Sequence, residues 1–274
     1  MMSNLENMLF YSAMFAAAAG FILSVMAFVI GRVSAFGYAQ WAVRLTWVLL
    51  TLNGVRRWME SGHPPLVTRY ESLTLLVWFL LGAYMIINRF LFRSPLVLAT
   101  VALVSALLLG WASTVPHSIS LPTAALDSGW LYVHASFAAS GKAILIMAAA
   151  LSVVFLLGRE RTLQSESLAG MSPDFQALPG HVTNLVMLGL TLWSVMVISG
   201  AMWAHDAWGR YWAWDPIETW ALIGWLLFGA VLHSRIGFKV SDRVFCWLVF
   251  IAGLFVVLLL WGVHLLYMTM HTYG

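Results

Sequence analysis

HVTNLVMLGLTLWSVMVISGAMWAHDAWGRYWAWDPIETWALIGWLLFGAVLHS, residues 181–234, reads as an apolar run, an aromatic and polar interruption, and a second apolar run. The runs at 181–204 and 216–234 are each long enough to cross about 30 Å of hydrocarbon as a helix. The interruption holds the unusual chemistry. Six of the chain's fifteen tryptophans fall between Trp203 and Trp225: Trp203, Trp208, Trp212, Trp214, Trp220 and Trp225. An interfacial aromatic belt is common to membrane proteins, but a belt spreads over all spans. It does not bring Gly209, Asp215-Pro216 and Glu218 at fixed offsets. Tryptophan offers a broad flat face and one N–H, which suits a planar, amphipathic ligand at a membrane surface.

Asp215, Pro216 and Glu218 fit the N-cap, N1 and N3 positions of a helix start. Aspartate accepts from backbone N–H groups, proline has no donor to leave unpaired, and glutamate closes a capping box. Span seven is therefore predicted to begin sharply at Pro216. The two carboxylates can serve that start, touch a ligand directly, or do both, since a rigid start also fixes the aromatic shelf before it.

The rest of the chain agrees with a membrane setting. Apolar residues make up 62% and charged residues 9%, far from the roughly 25% charged of soluble domains. The net charge of +3 is spread out and implies no nucleic-acid partner. The single cysteine, Cys246, lies in an apolar run and forms neither an internal disulfide nor a CxxC pair. Any thiol chemistry must come from a substrate or a partner. Further spans are predicted near 8–30, 35–57, 71–91, 95–114, 129–158 and 244–268. The first is too long for the h-region of a signal peptide. Residues 1–274 are thus predicted to form one all-α polytopic domain of about eight transmembrane helices.

Lys and Arg set the expected orientation. Arg32, Arg89, Arg93, Arg159, Arg161, Arg235, Lys239 and Arg243 lie in the first, third, fifth and seventh connections. Arg56, Arg57, Arg69 and Arg210 lie on the other side, and Arg44 and Lys142 within spans. The richer side is expected to be cytoplasmic. Both termini and the tryptophan segment, about 203–225, then face the extracytoplasmic side.

Depth divides the histidines. His63, His117, His134, His205, His264 and His271 fall near the tryptophan side, His181 and His233 near the other. Eighteen residues separate Asp215 from His233, about 27 Å of helix, so His233 cannot share a metal with the shelf. An intramembrane histidine is a candidate site, although one alone can simply bond a neighbouring helix. His134, one turn into span five, and His271, just past span eight, share the shelf's depth. Two neutral imidazoles beside an aromatic shelf suit a bis-histidine heme site. His264, seven residues before His271, competes for the second position.

WGRYWAWDPIETWALI at 208–223 resembles the WWD signature of heme-handling proteins of cytochrome c biogenesis, in particular the CcsA (ResC, sometimes labelled CcsB) branch of System II. Pro65-Leu66 with Tyr70-Glu71-Ser72-Leu73, Trp130-Leu131-Tyr132-Val133-His134, Ala230-Val231-Leu232-His233-Ser234-Arg235 and His271-Thr272-Tyr273-Gly274 resemble further stretches of that family. The likeness runs from about residue 63 onward. Departures are Ile217, where the family often has Lys, Thr68 for Asn and Thr272 for Ser. The first removes a possible propionate contact, leaving Arg210, Arg56, Arg57 and Arg69 as candidates.

The resemblance implies a bacterial cytoplasmic-membrane protein that binds heme b through His134, His271 and His233. The shelf of Trp208, Gly209, Arg210, Tyr211, Trp212, Trp214, Asp215, Glu218 and Trp220 would complete the site. It implies a heme lyase (cytochrome c synthase) subunit that supports thioether formation on a Cys-x-x-Cys-His apocytochrome c. A separate CcsB/ResB-type membrane protein and a thiol-reducing partner would assist, within membrane lipid. Three alternatives stay open on the residues alone. One is a heme exporter or chaperone of the CcmC type without attachment chemistry. A second is a cytochrome b with permanent heme. The third is a transporter of an unrelated solute, against which the spans lack a midplane charge constellation beyond Arg44 and Lys142.

Overall fold

The computed structural model describes residues 4–91, 93–118, 128–161 and 175–266, with backbone alone at 158–161 and 261–266. The described chain is helical: α1 Asn4–Ile30, α2 Val33–Ser61, α3 Arg69–Phe90, α4 Pro95–Ala112, α5 Gly129–Arg161, α6 Leu178–Trp208, α7 Pro216–Ile236 and α8 Asp242–Leu266. Seven of these are long and apolar enough to cross a membrane. The exception is α2, which has the length but carries Gln40, Arg44, Asn53, Arg56 and Arg57. Much of that polarity turns inward. Asn53 is buried and its Nδ2 donates to Tyr70 Oη at 2.7 Å, while Leu45, Leu52 and Val55 face outward. The chain is a polytopic all-α membrane protein.

Caps explain the sharp boundaries. Thr68 Oγ1 accepts from Glu71 N at 3.2 Å and Glu71 Oε2 accepts from Thr68 N at 3.0 Å, a capping box at α3. Ser94 caps α4 with Pro95 behind it. Three helices end in glycine with left-handed backbone, α1 at Gly31, α2 at Gly62 and α6 at Gly209, where φ is +73°, +77° and +71°. Glycine bears that conformation without a Cβ clash.

The helices pack as two groups. In one, α1 lies against α2 and α4, and α3 against α4; in the other, α6 and α8 flank α5 and α7 closes on α8. The groups join where α5 meets α3. Small residues permit close approach within the second group. A Cβ on Gly189 would sit 2.6 Å from the Leu145 side chain, and one on Gly253 2.4 Å from Ala149 Cβ.

At one end, Arg57 ties the first group together. Its guanidinium meets Glu6 on α1, Glu71 Oε1 on α3 at 2.8 Å, and the His117 carbonyl after α4 at 3.1 Å. All three side chains are buried. The starts of α1, α3, α5 and α7 and the ends of α2, α4 and α6 therefore gather at the tryptophan end of the bundle.

Candidate functional site

A cavity of about 280 Å³ lies at this end, where the two groups meet. Its size is near the lower end for small-molecule sites. Its walls come from the start of α3, from α5 and α6, from the tryptophan connection, from the first turns of α7 and from Leu259-Leu260 of α8. Of the shelf residues, Tyr211, Trp212, Glu218 and Trp220 line it, and so does His134.

Position 134 is held from three sides. The ring Nδ1 is 2.9 Å from the Met196 carbonyl oxygen on α6. A carbonyl only accepts, so Nδ1 carries the proton, and in the neutral ring Nε2 then carries the lone pair. That is the tautomer a metal ligand needs, and a second hydrogen bond of this kind commonly orients ligating histidines. The ring stacks on Trp203, with centroids 5.9 Å apart and planes 26° from parallel. Gly200 makes room for it, since a Cβ there would lie 2.6 Å from His134 Nδ1. Nothing in the pattern Ser199-Gly200-Ala201 marks this notch; it exists only because α5 and α6 cross there.

The helix start at 215 is built as its residues predict. Asp215 Oδ1 accepts from Ile217 N at 2.9 Å, and Glu218 Oε2 accepts from Asp215 N at 3.3 Å and from Ala213 N at 2.8 Å. Glu218 thus reaches back past the cap and holds the whole turn. Within that turn Trp214 has φ +58°, a strained conformation for an aromatic residue. Such strain costs roughly 1–3 kcal/mol and persists only where surroundings enforce it. Trp214 is 70% exposed and sits edge-on to Trp212 at 5.8 Å.

Trp208, Gly209, Arg210, Trp214 and Asp215 do not line the cavity. They build its rim: Trp208 packs on Trp203 at 5.1 Å, Gly209 ends α6, and Tyr211 stacks on His205 at 4.4 Å. His233 is far away, in the last turn of α7, exposed and edge-on to Phe238 at 5.2 Å. His271 and the side chain of His264 lie outside the described residues.

The donor set suits a porphyrin better than a bare ion. Among the described residues no three of His, Cys, Asp and Glu gather to hold a metal, whereas a porphyrin brings its own nitrogens and asks for axial imidazole and flat apolar walls. Two wall groups also lack partners: Trp193 Nε1 and Trp212 Nε1 are buried N–H donors with no hydrogen bond.

Comparison with known proteins agrees with the architecture. Residues 66–271 match the family described as Cytochrome C assembly protein. The cytochrome c biogenesis protein CcsA of Prochlorococcus marinus is 35% identical over 259 residues, covering 83% of this chain and 81% of that protein. The CcsA of Parasynechococcus marenigrum is 34% identical over 266 residues, covering 87% of each. Among solved structures, the cytochrome c heme lyase CcmF superposes with a TM-score of 0.72 at 20% identity. That likeness is one of fold; it covers 93% of this chain but 46% of the CcmF chain, so this chain spans under half of that protein. The chain belongs to the cytochrome c assembly protein family, within its CcsA branch.

Proposed function

We propose that this protein serves cytochrome c biogenesis by binding heme b in the cavity at the tryptophan end and presenting it for attachment to apocytochrome c. The observation that carries this reading is His134: its tautomer is set by the Met196 carbonyl, and its ring lies beneath a tryptophan wall. His271, which follows α8 in the chain, would be the second residue to hold the heme iron. A bound heme supplies iron for the imidazole lone pair and vinyl groups across which the thiols of a Cys-x-x-Cys-His segment add.

The chain's own residues supply position. Trp212 and Trp220 cover the ligand's faces and exclude water, His134 fixes its centre, and the Asp215–Glu218 cap keeps the turn rigid. Such orientation is worth much of a bimolecular barrier. The protein holds no cysteine at the cavity, so the reactive sulfurs belong to the substrate, kept reduced by a separate thiol-reducing protein. The site faces the extracytoplasmic side of the bacterial cytoplasmic membrane, a reading supported by the excess of Lys and Arg in the opposite connections. A reporter fused at Gly274 would then read extracytoplasmic and one at Gln164 cytoplasmic; the reverse pattern overturns the orientation.

His233 marks an inner site. It is exposed on the bundle, which suits a ligand position completed by a CcsB/ResB-type partner. Its loss would lower heme loading of the whole complex.

The deciding experiment is a heme spectrum of the complex for each histidine variant. His134→Ala and His271→Ala are each expected to abolish the outer-site absorbance and holocytochrome c, with added imidazole restoring absorbance. If His264→Ala abolishes both while His271→Ala does not, the second ligand is on α8 itself.

A further inference from the structure

The floor of the cavity carries a cation that nothing among the described residues neutralises. Lys142 lines the cavity on α5, eight residues after His134 and so about 12 Å deeper along the helix axis. It lies inside the apolar stretch Gly129–Leu157. Among the described residues it makes no hydrogen bond and no ion pair. The protein treats another buried cation quite differently, surrounding Arg57 with two carboxylates and a carbonyl. A lone ammonium against apolar walls is costly, and in a membrane span such a group marks a functional site with a partner to be found.

A second group at the same level points the same way. Trp193 on α6 lines the cavity, and its buried Nε1–H has no acceptor. It is a neighbour across the helix crossing, since a Cβ on Gly141, the residue before Lys142, would lie 3.3 Å from the Trp193 backbone nitrogen. Among the described residues the one carboxylate that lines the cavity, Glu218, belongs to the α7 start at the mouth and is engaged by Ala213 and Asp215. Among those residues the floor therefore offers two unpartnered donors and no acceptor side chain.

We infer that Lys142, assisted by Trp193 Nε1–H, binds a carboxylate of the cavity's ligand, so that a heme enters with its propionate edge toward the floor and its vinyl edge toward the mouth at Tyr211 and Trp212. The inference rests on the heme reading above. It assigns Lys142 a positioning role: the axial bond to His134 leaves the porphyrin free to rotate about the iron–nitrogen axis, and an anchored propionate removes that freedom. The edge opposite the propionates is the one a thiol-bearing segment must reach from outside.

The test uses the full chain in lipid nanodiscs, titrated with hemin and with hemin dimethyl ester. The ester caps both carboxylates and keeps the iron and the vinyl groups. Binding is read from the Soret band. The wild type is expected to bind hemin about tenfold or more tightly than the ester, the scale of a charge-assisted hydrogen bond. Lys142→Met is expected to bind the two equally, by losing hemin affinity while ester affinity holds; Lys142→Arg is expected to keep the preference. Ester binding reports that each variant is folded. A wild type that does not distinguish the two porphyrins, or a Lys142→Met variant that still does, overturns the inference while leaving the His134 site standing. A wild type whose spectra do not depend on His134 with either porphyrin would instead sink the heme reading.

Discussion

Two helices at the tryptophan end begin with the same device, and their fates differ. At α3, Thr68 and Glu71 close a capping box; at α7, Asp215 and Glu218 close another. Glu71 is saturated: Oε2 takes Val67 N and Thr68 N at 2.9 and 3.0 Å, and Oε1 takes Arg57. Glu218 commits Oε2 to Ala213 N and Asp215 N and keeps a face on the cavity. The local code is the same, so the local job is the same. What differs is the neighbour: a buried guanidinium stands beside one box and an open cavity beside the other. The first becomes a rivet for α1, α2 and α3, the second the rigid support of a cavity wall.

The largest effect should come from breaking the rivet. Arg57→Ala leaves Glu6 and Glu71 as buried carboxylates without a counter-charge, and removing one partner of such a pair costs about 3–5 kcal/mol. Folded protein recovered by size-exclusion chromatography should fall steeply. Recovery equal to wild type would mean that the network adds little and that the two boxes are equivalent after all.

The paired exchange Glu71→Gln and Glu218→Gln sharpens the contrast. Both keep an oxygen for the cap, but only the first deprives Arg57 of a charged acceptor, at about 1.5–3 kcal/mol. Thermal unfolding should drop clearly for Glu71→Gln and barely for Glu218→Gln. Equal shifts would contradict the division between rivet and wall.

On the cavity side, Gly200→Ala should displace His134, because the new methyl would stand 2.6 Å from Nδ1. Overpacking of this kind costs about 1–3 kcal/mol, partly offset by the better helix propensity of alanine, about 1 kcal/mol. The expected outcome is near-normal abundance with a lost or altered heme spectrum. An unchanged spectrum would show that the notch does not position the ring.

The smallest effect belongs to the cap itself. Asp215→Ala should destabilise by about 0.5–2 kcal/mol, while Asp215→Asn, which still accepts from Ile217 N, should change abundance little. If both variants lose heme at normal abundance, the charge of Asp215 matters beyond capping, and the α7 box is more than a support for the wall.

Much of the fold was legible in the chain. Helix ends fall within a few residues of the apolar runs, because a bilayer demands long uninterrupted helices and the connections break hydropathy cleanly. The α7 start was legible because capping is local, needing residues three apart. The Thr68-x-x-Glu71 pattern carried the same signal at α3 and is easily passed over beside the louder tryptophans. Glu6 and Arg57, fifty-one residues apart, carry no such signal.

The amino-acid sequence by itself determined the membrane class, the helices and their starts, and that His134 lies at the level of Trp212 and Trp220. Each follows from a periodicity, a hydropathy run or a spacing along one helix. The tertiary structure alone decided which carboxylate is a rivet, that Gly200 makes the notch for His134, and that Lys142 faces a cavity with no counter-charge among the described residues. Those properties depend on where separate helices cross, and contact across a helix crossing leaves no mark in the order of residues along either one.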